Sequence, residues 1–465
     1  MSVHDLTASA RGRQNAPLQI AVVGRGFSGL MSAIALLNTL GRPFELSLFD
    51  PSPAISGGQA LAGARSTEIL NSRARDLSVC DGEPKDFTRW LQANGPFRDA
   101  VSAAIPGFGQ IFVPKAIFSD YVYQRFSEAL AKRRDVSVRM ADDVAIGLAR
   151  EEDGRFRLSF EDGKALSCDD VILATGYGLK AQTVEIARAL AADMQAAQSD
   201  ETHVVVLGSG LRAVDQVMQL RDAGFAGRIS ILSRRGFLPQ PHTRLAADSV
   251  FPTQPMPSKL RHILRFVREA CQEAEENGWS WQAAMNGLRK RARSLWSSLP
   301  PSEKRQFNRH LRSLYDAHRN RLPADVHARL ERELAGGQTV LRRGTALGLA
   351  QGGLTVRWAG EQGESHFAAD RVIDSRCLAA DLDVPVVAAA LQDGLAVADE
   401  LMLGLSVNPT GELLDARGRP LGLFAIGPLG LGSLPDIDLV PEIVTQTYAA
   451  AALIDQRSRP QLQAV

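Results

Sequence analysis

The chain has 465 residues, enough for two or three separately packed cores. Its 53 basic and 52 acidic side chains leave a net charge of +1, so no overall field favours a nucleic acid or an anionic membrane surface. Cys80, Cys168, Cys271 and Cys377 stand far apart with no CxxC pair, and no histidine pair shows metal-ligand spacing, so neither a redox-active dithiol nor a metal centre is expected and all four thiols read as isolated and buried.

Residues 1–17 are polar, mixed in charge and without the apolar stretch of a signal peptide. They read as a disordered tail, and a cytoplasmic setting follows. The apolar run Ile20 to Val23 then enters Gly24-Arg25-Gly26-Phe27-Ser28-Gly29. An apolar-periodic helix from Leu30 to Leu40 follows, too short to span a bilayer. Strand, glycine turn and helix in this order suit a dinucleotide. The first Gly permits the turn, the second admits the pyrophosphate, and the third allows close helix–strand packing. The anion sits on unpaired N–H groups at the positive helix end. The next apolar strand, Glu45 to Phe49, ends in Asp50, about 20 residues on, where a carboxylate accepts hydrogen bonds from the ribose diol of FAD or NAD; the competing reading is a plain strand-end turn residue. We assign Gly24, Gly26, Phe27, Ser28, Gly29 and Asp50 to FAD.

Asp170 to Tyr177 reads as a strand ending in a small-residue turn, Ala174-Thr175-Gly176, which lets backbone approach a cofactor. A second strand, Val204 to Leu207, leads into Gly208-Ser209-Gly210-Leu211-Arg212-Ala213. Its partner strand Ile229 to Leu232 ends in Ser233-Arg234-Arg235 with no acid. A carboxylate there would repel a 2′-phosphate, whereas arginines bind it. Gly208, Gly210, Leu211, Arg212, Ala213, Ser233, Arg234 and Arg235 are therefore assigned to NADPH; the competing reading of the Arg pair is a solvated strand end.

Residues 258–334 are polar and helical. Between 285 and 325 lie many arginines and lysines, interleaved with Trp296 and Tyr315 and preceded by Trp279 and Trp281. A solvated helical face is the favoured reading over a nucleic-acid surface. A minority reading has Arg319 and Arg321, beside the helix-ending Leu322-Pro323, reach the flavin cleft and hold an anionic substrate. Gly336-Gly337, Gly352-Gly353 and Gly360 read as hairpin turns. Arg371 to Ser375 reads as the second domain's counterpart of the Asp170 strand. Near the C-terminus the strand Gly422 to Gly427 and a glycine-rich turn lead to Pro441-Glu442, at the start of a helix through Leu453. That helix start either stabilises negative charge at the flavin N1–C2 edge, which gives Gly427, Pro441 and Glu442 to FAD, or is an ordinary packing unit.

The expected fold is α/β: two doubly wound Rossmann-like domains, the NADPH domain inserted in the FAD domain, plus a helical lobe. The expected boundaries are 18–200 and 380–465 for FAD, 201–257 and 335–379 for NADPH, and 258–334 for the lobe.

Both fingerprints, Ser233 to Pro239 with His242, the Leu423 to Glu442 stretch and Asp316-Ala317-His318-Arg319-Asn320-Arg321 together resemble bacterial FAD/NAD(P)-binding flavoproteins of the YdhS type. That family includes FAD-dependent urate hydroxylase and a nitrosuccinate-forming aspartate N-monooxygenase. The chain departs from more distant FAD/NADPH enzymes at Gly427-Pro428, where many carry Gly-Asp, and after Asn71, where Val-Pro is commoner. The resemblance implies an NADPH-consuming monooxygenase that works through a flavin C4a-(hydro)peroxide on a small anionic substrate and O2. Urate is the first expectation, amino-acid N-hydroxylation the second, and a reductase or oxidase without oxygen transfer the third. Asn71 is the candidate amide donor near flavin N5, against the reading of a plain turn residue. No nucleic acid or membrane partner is expected, and the oligomeric state is open.

Overall fold

The computed structural model describes residues 16–52, 68–94, 108–178, 202–245, 247–376 and 379–459. Residues 1–15 of the expected tail, and Cys377, lie outside the described residues. The first part of the chain runs β1 (Leu18–Val23), α1 (Phe27–Thr39), β2 (Phe44–Phe49), α2 (Asp86–Ala93), α3 (Lys115–Ala131) and β3 (Val136–Ala141). A meander follows: β4 (Ala145–Arg150), β5 (Phe156–Phe160), β6 (Ala165–Cys168), then β7 (Asp170–Leu173). The middle part runs β8 (His203–Leu207), α4 (Leu211–Asp222), β9 (Arg228–Ser233), α5 (Leu260–Glu276), α6 (Trp281–Ser298), α7 (Pro301–His310), α8 (Arg312–Arg319) and α9 (Ala324–Ala335). Next are β10 (Thr339–Ala350), β11 (Gly353–Trp358), β12 (Ser365–Ala368) and β13 (Arg371–Asp374). The last part is α10 (Pro385–Gln392), β14 (Glu412–Leu414), β15 (Pro420–Ala425) and α11 (Val440–Ser458). The chain divides into two compact units, one of residues 1–67, 72–178 and 379–465, the other of 68–71 and 179–378.

The first unit carries a six-stranded sheet in the order β14-β15-β7-β1-β2-β3. All but β14 run parallel. Parallel strands need both faces covered, and the sequence of β1 shows why this one is. Ala21 and Val23 point to a cluster built with Leu148, Phe156, Leu158 and Phe160 of the antiparallel meander β4–β6. Ile20 and Val22, of the opposite parity and 1 % and 0 % exposed, face the other way. Helix α1 packs against both α3 and α11, and Ser28 to Leu37 are all buried. Such a helix reads apolar all round because neighbours cover it on every side. The layer opposite the helices is thus a second β-sheet, with α10 packed on β4.

The second unit repeats the wiring. Its sheet has the order β12-β11-β10-β9-β8-β13, with β13, β8, β9 and β10 parallel and β11 and β12 antiparallel. Strand β13 lies beside β8 as β7 lies beside β1, which is the expected correspondence of Arg371 to Ser375 with the Asp170 strand. Val204 and Val206 face helices α4 and α9, and Val205 and Leu207 face Leu354 and Val356 of the hairpin. Gly352 turns β10 into β11, but Gly336 and Gly337 are no hairpin. Gly336 caps α9, and the Gly337 N–H donates to Leu334 O at 3.2 Å, because a glycine in the left-handed region closes a helix end cheaply.

Helices α5 to α8 use the aromatic side chains internally. Trp281 meets His318 edge-on at 5.1 Å, and Phe307 meets both Trp296 and Tyr315. Arg291 lies over Phe251 and Lys304 over Trp296, so part of the basic run covers aromatic faces. The thiols also differ from expectation. Cys168 is buried, while Cys80 and Cys271 are half-buried. Burial and the neighbouring Asp86 push Cys80 up to about 12, so it stays a neutral donor to Asp86 Oδ2 at 3.3 Å.

Candidate dinucleotide-binding sites

In the first unit every parallel strand ends at one edge, and the predicted FAD residues gather there. Gly24 follows β1 with φ +109°, and a Cβ on it would overlap Ala174 O at the end of β7. A Cβ on Gly29 would overlap Gly24 O, the close helix–strand approach that the third fingerprint position requires. Gly26 is the N-cap of α1, with no side chain capping the helix N–H groups. Phe27 packs its ring against Phe118 at 5.8 Å, and Ser28 is buried. Asp50 is oriented from two sides: Oδ2 accepts from Arg25 N at 2.8 Å and Oδ1 from Ser52 N at 2.9 Å. Each oxygen keeps a lone pair, as a ribose contact needs.

Arg25 was not singled out from the sequence. It is 3 % exposed, and its guanidinium donates to Ser52 O and pairs with Asp142, pinning the loop that carries Asp50. The hydroxyl of Thr175 is buried beside the Gly24 turn with no partner among the described residues, so a polar group of the cofactor would satisfy it.

The C-terminal segment returns to the same edge. A Cβ on Gly427 would overlap Ser28 Oγ, so the turn after β15 rests on the start of α1. The Gly427 N–H donates to Gln446 Oε1 at 2.8 Å. Pro441 lies in the first turn of α11, Glu442 follows it, and no side chain caps the helix. Uncapped N–H groups and the helix dipole favour an anionic edge there, which Glu442 partly offsets. Just before this helix Asp436 adopts φ +63°, one of two non-glycine residues in the left-handed region among the described residues. The Tyr177 hydroxyl reaches Asp438 Oδ2 at 3.0 Å. This contact could not be foreseen from local sequence, since it joins segments 261 residues apart.

In the second unit Gly208 has φ +102° and Gly210 is the N-cap of α4. A Cβ on Gly210 would meet nothing within 4 Å, so the space a pyrophosphate would fill is open. Leu211 and Arg212 start the helix, and Ala213 is 1 % exposed against the strands. Arg212 Nη1 is buried without a partner among the described residues. Ser209 Oγ donates to Phe237 O at 2.6 Å, which ties the fingerprint to the turn after β9. That turn is closed by Gly236 N donating to Ser233 Oγ at 3.0 Å. Arg234 and Arg235 are exposed and make no hydrogen bond or ion pair among the described residues.

The remaining candidates lie elsewhere in the second unit. Asn71 offers its backbone oxygen to His242 Nε2 at 2.9 Å. Arg321 donates to Gln282 Oε1 at 2.5 Å and Asn286 Oδ1 at 2.7 Å, both on α6, and lies over Trp281. Gln282 in turn donates to Pro241 O, so the fork expected for an anion is seated on neutral amides inside the lobe. Arg319 donates to Asn320 Oδ1 at 3.0 Å.

Residues 21–178 match the family model described as FAD-NAD(P)-binding. No curated protein matches the chain. Among solved structures, it is similar to an ornithine N-hydroxylase of Kutzneria sp. 744, in a complex with reduced FAD, NADP+ and L-ornithine. The TM-score is 0.61 at 15 % identity, over 96 % of this chain and 100 % of that one. It is similar to the ornithine hydroxylase PvdA of Pseudomonas aeruginosa, with TM-score 0.58 and 14 % identity, over 95 % and 100 %. It is also similar to the cadaverine monooxygenase DfoA of Erwinia amylovora, solved with FAD, with TM-score 0.61 and 14 % identity, over 96 % and 95 %. Identities this low establish shared architecture. The protein has the two-Rossmann-domain fold of the flavin-dependent monooxygenases, opening with an FAD-NAD(P)-binding domain.

Proposed function

We propose that the protein is an FAD-dependent, NADPH-consuming monooxygenase that hydroxylates the nitrogen of a small amine, such as the side chain of a basic amino acid. The observation that carries this reading is the end-to-end match. An ornithine N-hydroxylase, an ornithine hydroxylase and a cadaverine monooxygenase align over 95–96 % of the chain with nearly all of their own length covered. Urate, the first expectation from sequence, has no comparable support, because these relatives are named for amines rather than purines.

The residues fit both cofactors. Glycine turns, an orphaned Thr175 hydroxyl and a pre-oriented Asp50 suit FAD. An open Gly210 turn and arginines unpaired among the described residues suit NADPH. Reduced flavin supplies the activation of O2. The protein's part is to hold and orient. Asp50 fixes the adenosine end of FAD, and the uncapped start of α11 accepts negative charge on the pyrimidine edge. Arg234 and Arg235 hold the 2′-phosphate of the hydride donor. The net reaction balances as R–NH2 + O2 + NADPH + H+ → R–NHOH + H2O + NADP+.

The test is coupled turnover with ornithine, lysine, cadaverine and urate under one set of conditions. Hydroxylamine product in step with NADPH oxidation is expected with one of the amines. Loss of urate with formation of 5-hydroxyisourate would replace this reading by the purine one. Hydrogen peroxide as the only product with all four would leave an oxidase.

A further inference from the structure

We infer that Arg343 is a third anion-holding group of the second dinucleotide site and completes, with Arg234 and Arg235, a cradle for a phosphomonoester on the 2′-position of an adenosine ribose. The inference rests on the reading of that site as one for NADPH.

Arg343 closes the part of β10 that runs parallel to β9, and its register partner is Ser233, the first residue of the Arg-bearing turn. Parallel strands end on the same side, so Arg343 stands at the edge where this turn begins. Its stem lies along the turn itself. Gly236 has φ +68°, and a Cβ there would come within 2.8 Å of Arg343 Cγ and 3.2 Å of Cδ. The preceding residue goes the other way, as strand alternation requires: Arg342 lies over the rings of Trp358 and Phe367.

The charge of this cluster is unanswered. Elsewhere in the same unit several arginines find acids: Arg221 pairs with Glu333, Arg329 with Asp222 and Arg376 with Asp374. Arg234, Arg235 and Arg343 are all exposed and have no acidic partner among the described residues. Three guanidinium groups on one short turn and the strand beside it repel one another, and an anion with several acceptor oxygens relieves this. A dianionic phosphomonoester has the charge and the oxygens for it. The Gly208–Ala213 fingerprint, tied to the turn through Ser209, would hold the pyrophosphate of the same dinucleotide.

The experiment uses the full chain and two probes, adenosine 2′,5′-bisphosphate and adenosine 5′-monophosphate, with binding measured by titration calorimetry. Arg343→Met is expected to weaken the bisphosphate roughly 10-fold or more and to leave the monophosphate unchanged. Arg343→Lys should restore part of the loss, and Arg342→Met should alter neither probe. Unchanged bisphosphate affinity in Arg343→Met, with a loss in Arg234→Met or Arg235→Met, would remove Arg343 from the cradle while the NADPH reading stands. Equal affinity of the unmodified protein for both probes would overturn the NADPH reading, and the inference with it.

Discussion

The hydroxyl of Tyr177 donates to Asp438 Oδ2 at 3.0 Å and joins the small-residue turn after β7 to the segment that enters α11. Both segments carry predicted flavin contacts, and this hydrogen bond ties them beyond the pairing of β7 with β15. Tyr177→Phe keeps the ring and removes the bond. It should cost about 1 kcal/mol of stability and weaken FAD binding several-fold. Thermal unfolding and flavin fluorescence titration read the two effects, and unchanged flavin affinity would show that the tether does not shape the site.

Gly210 allows stability and binding to be separated. A methyl group at this position meets no atom within 4 Å, and Gly210 lies outside the left-handed region. Gly210→Ala should therefore unfold within about 0.5 kcal/mol of the parent. NADPH should bind at least tenfold more weakly, because the methyl group occupies the place of the pyrophosphate, and FAD content should not change. A variant with full NADPH affinity would move the nucleotide away from this turn.

The donor preference follows from Arg234 and Arg235. NADPH should reduce the flavin at much lower concentration than NADH. Replacing both arginines with Ala should erase the difference, since each charged hydrogen bond contributes roughly 1.5–3 kcal/mol. Stopped-flow reduction with each donor measures this. Equal use of the two donors by the parent would reduce the Arg pair to a solvated strand end.

Asp170 gives stability a pH dependence. Burial raises its pKa from 3.8 to about 7, against the pull of Arg457, and Asp169 and Glu412 push in the same direction as burial. The folded state thus keeps a proton that the unfolded chain releases near pH 4. Stability from this group is intact below pH 4 and is lost as pH rises through 7. Asp170→Asn should be neutral at pH 4 and stabilising by about 1–4 kcal/mol at pH 8. Denaturant titrations at the two pH values decide it, and an equal effect at both would mean that Asp170 titrates normally in the fold.

Much of this was legible in sequence because it is local. Each fingerprint is a strand, turn and helix within one short span, and its glycines sit where the turns demand them. The correspondence of the Asp170 and Arg371 strands was legible too, through their apolar character and position in the chain order. The meander β4–β6 was not read, although Phe156 to Phe160 alternates apolar and polar as a half-buried strand does; the face it packs on is supplied by distant strands, β1 and β15 among them. Cys80 and Cys271 looked buried by residue type, whereas burial depends on neighbours from other elements. Arg343 had no local signal at all. Its meaning comes from Gly236, more than a hundred residues earlier, and from strand pairing that sets one arginine of a pair against aromatic rings and the other against a turn.

The nested chain order has a consequence for how the protein is made. Strand β15 adds to β7, and α11 covers α1, but both come from the last part of the chain. Until that part leaves the ribosome, α1 lacks one of its covering helices and β7 has an open edge. The second unit, by contrast, has nearly all of its residues in one continuous stretch and can complete its sheet first. The unit that begins the sequence is thus the last to close. A chain stopped before residue 420 would carry a finished second unit and an unfinished first one, open to edge-to-edge association.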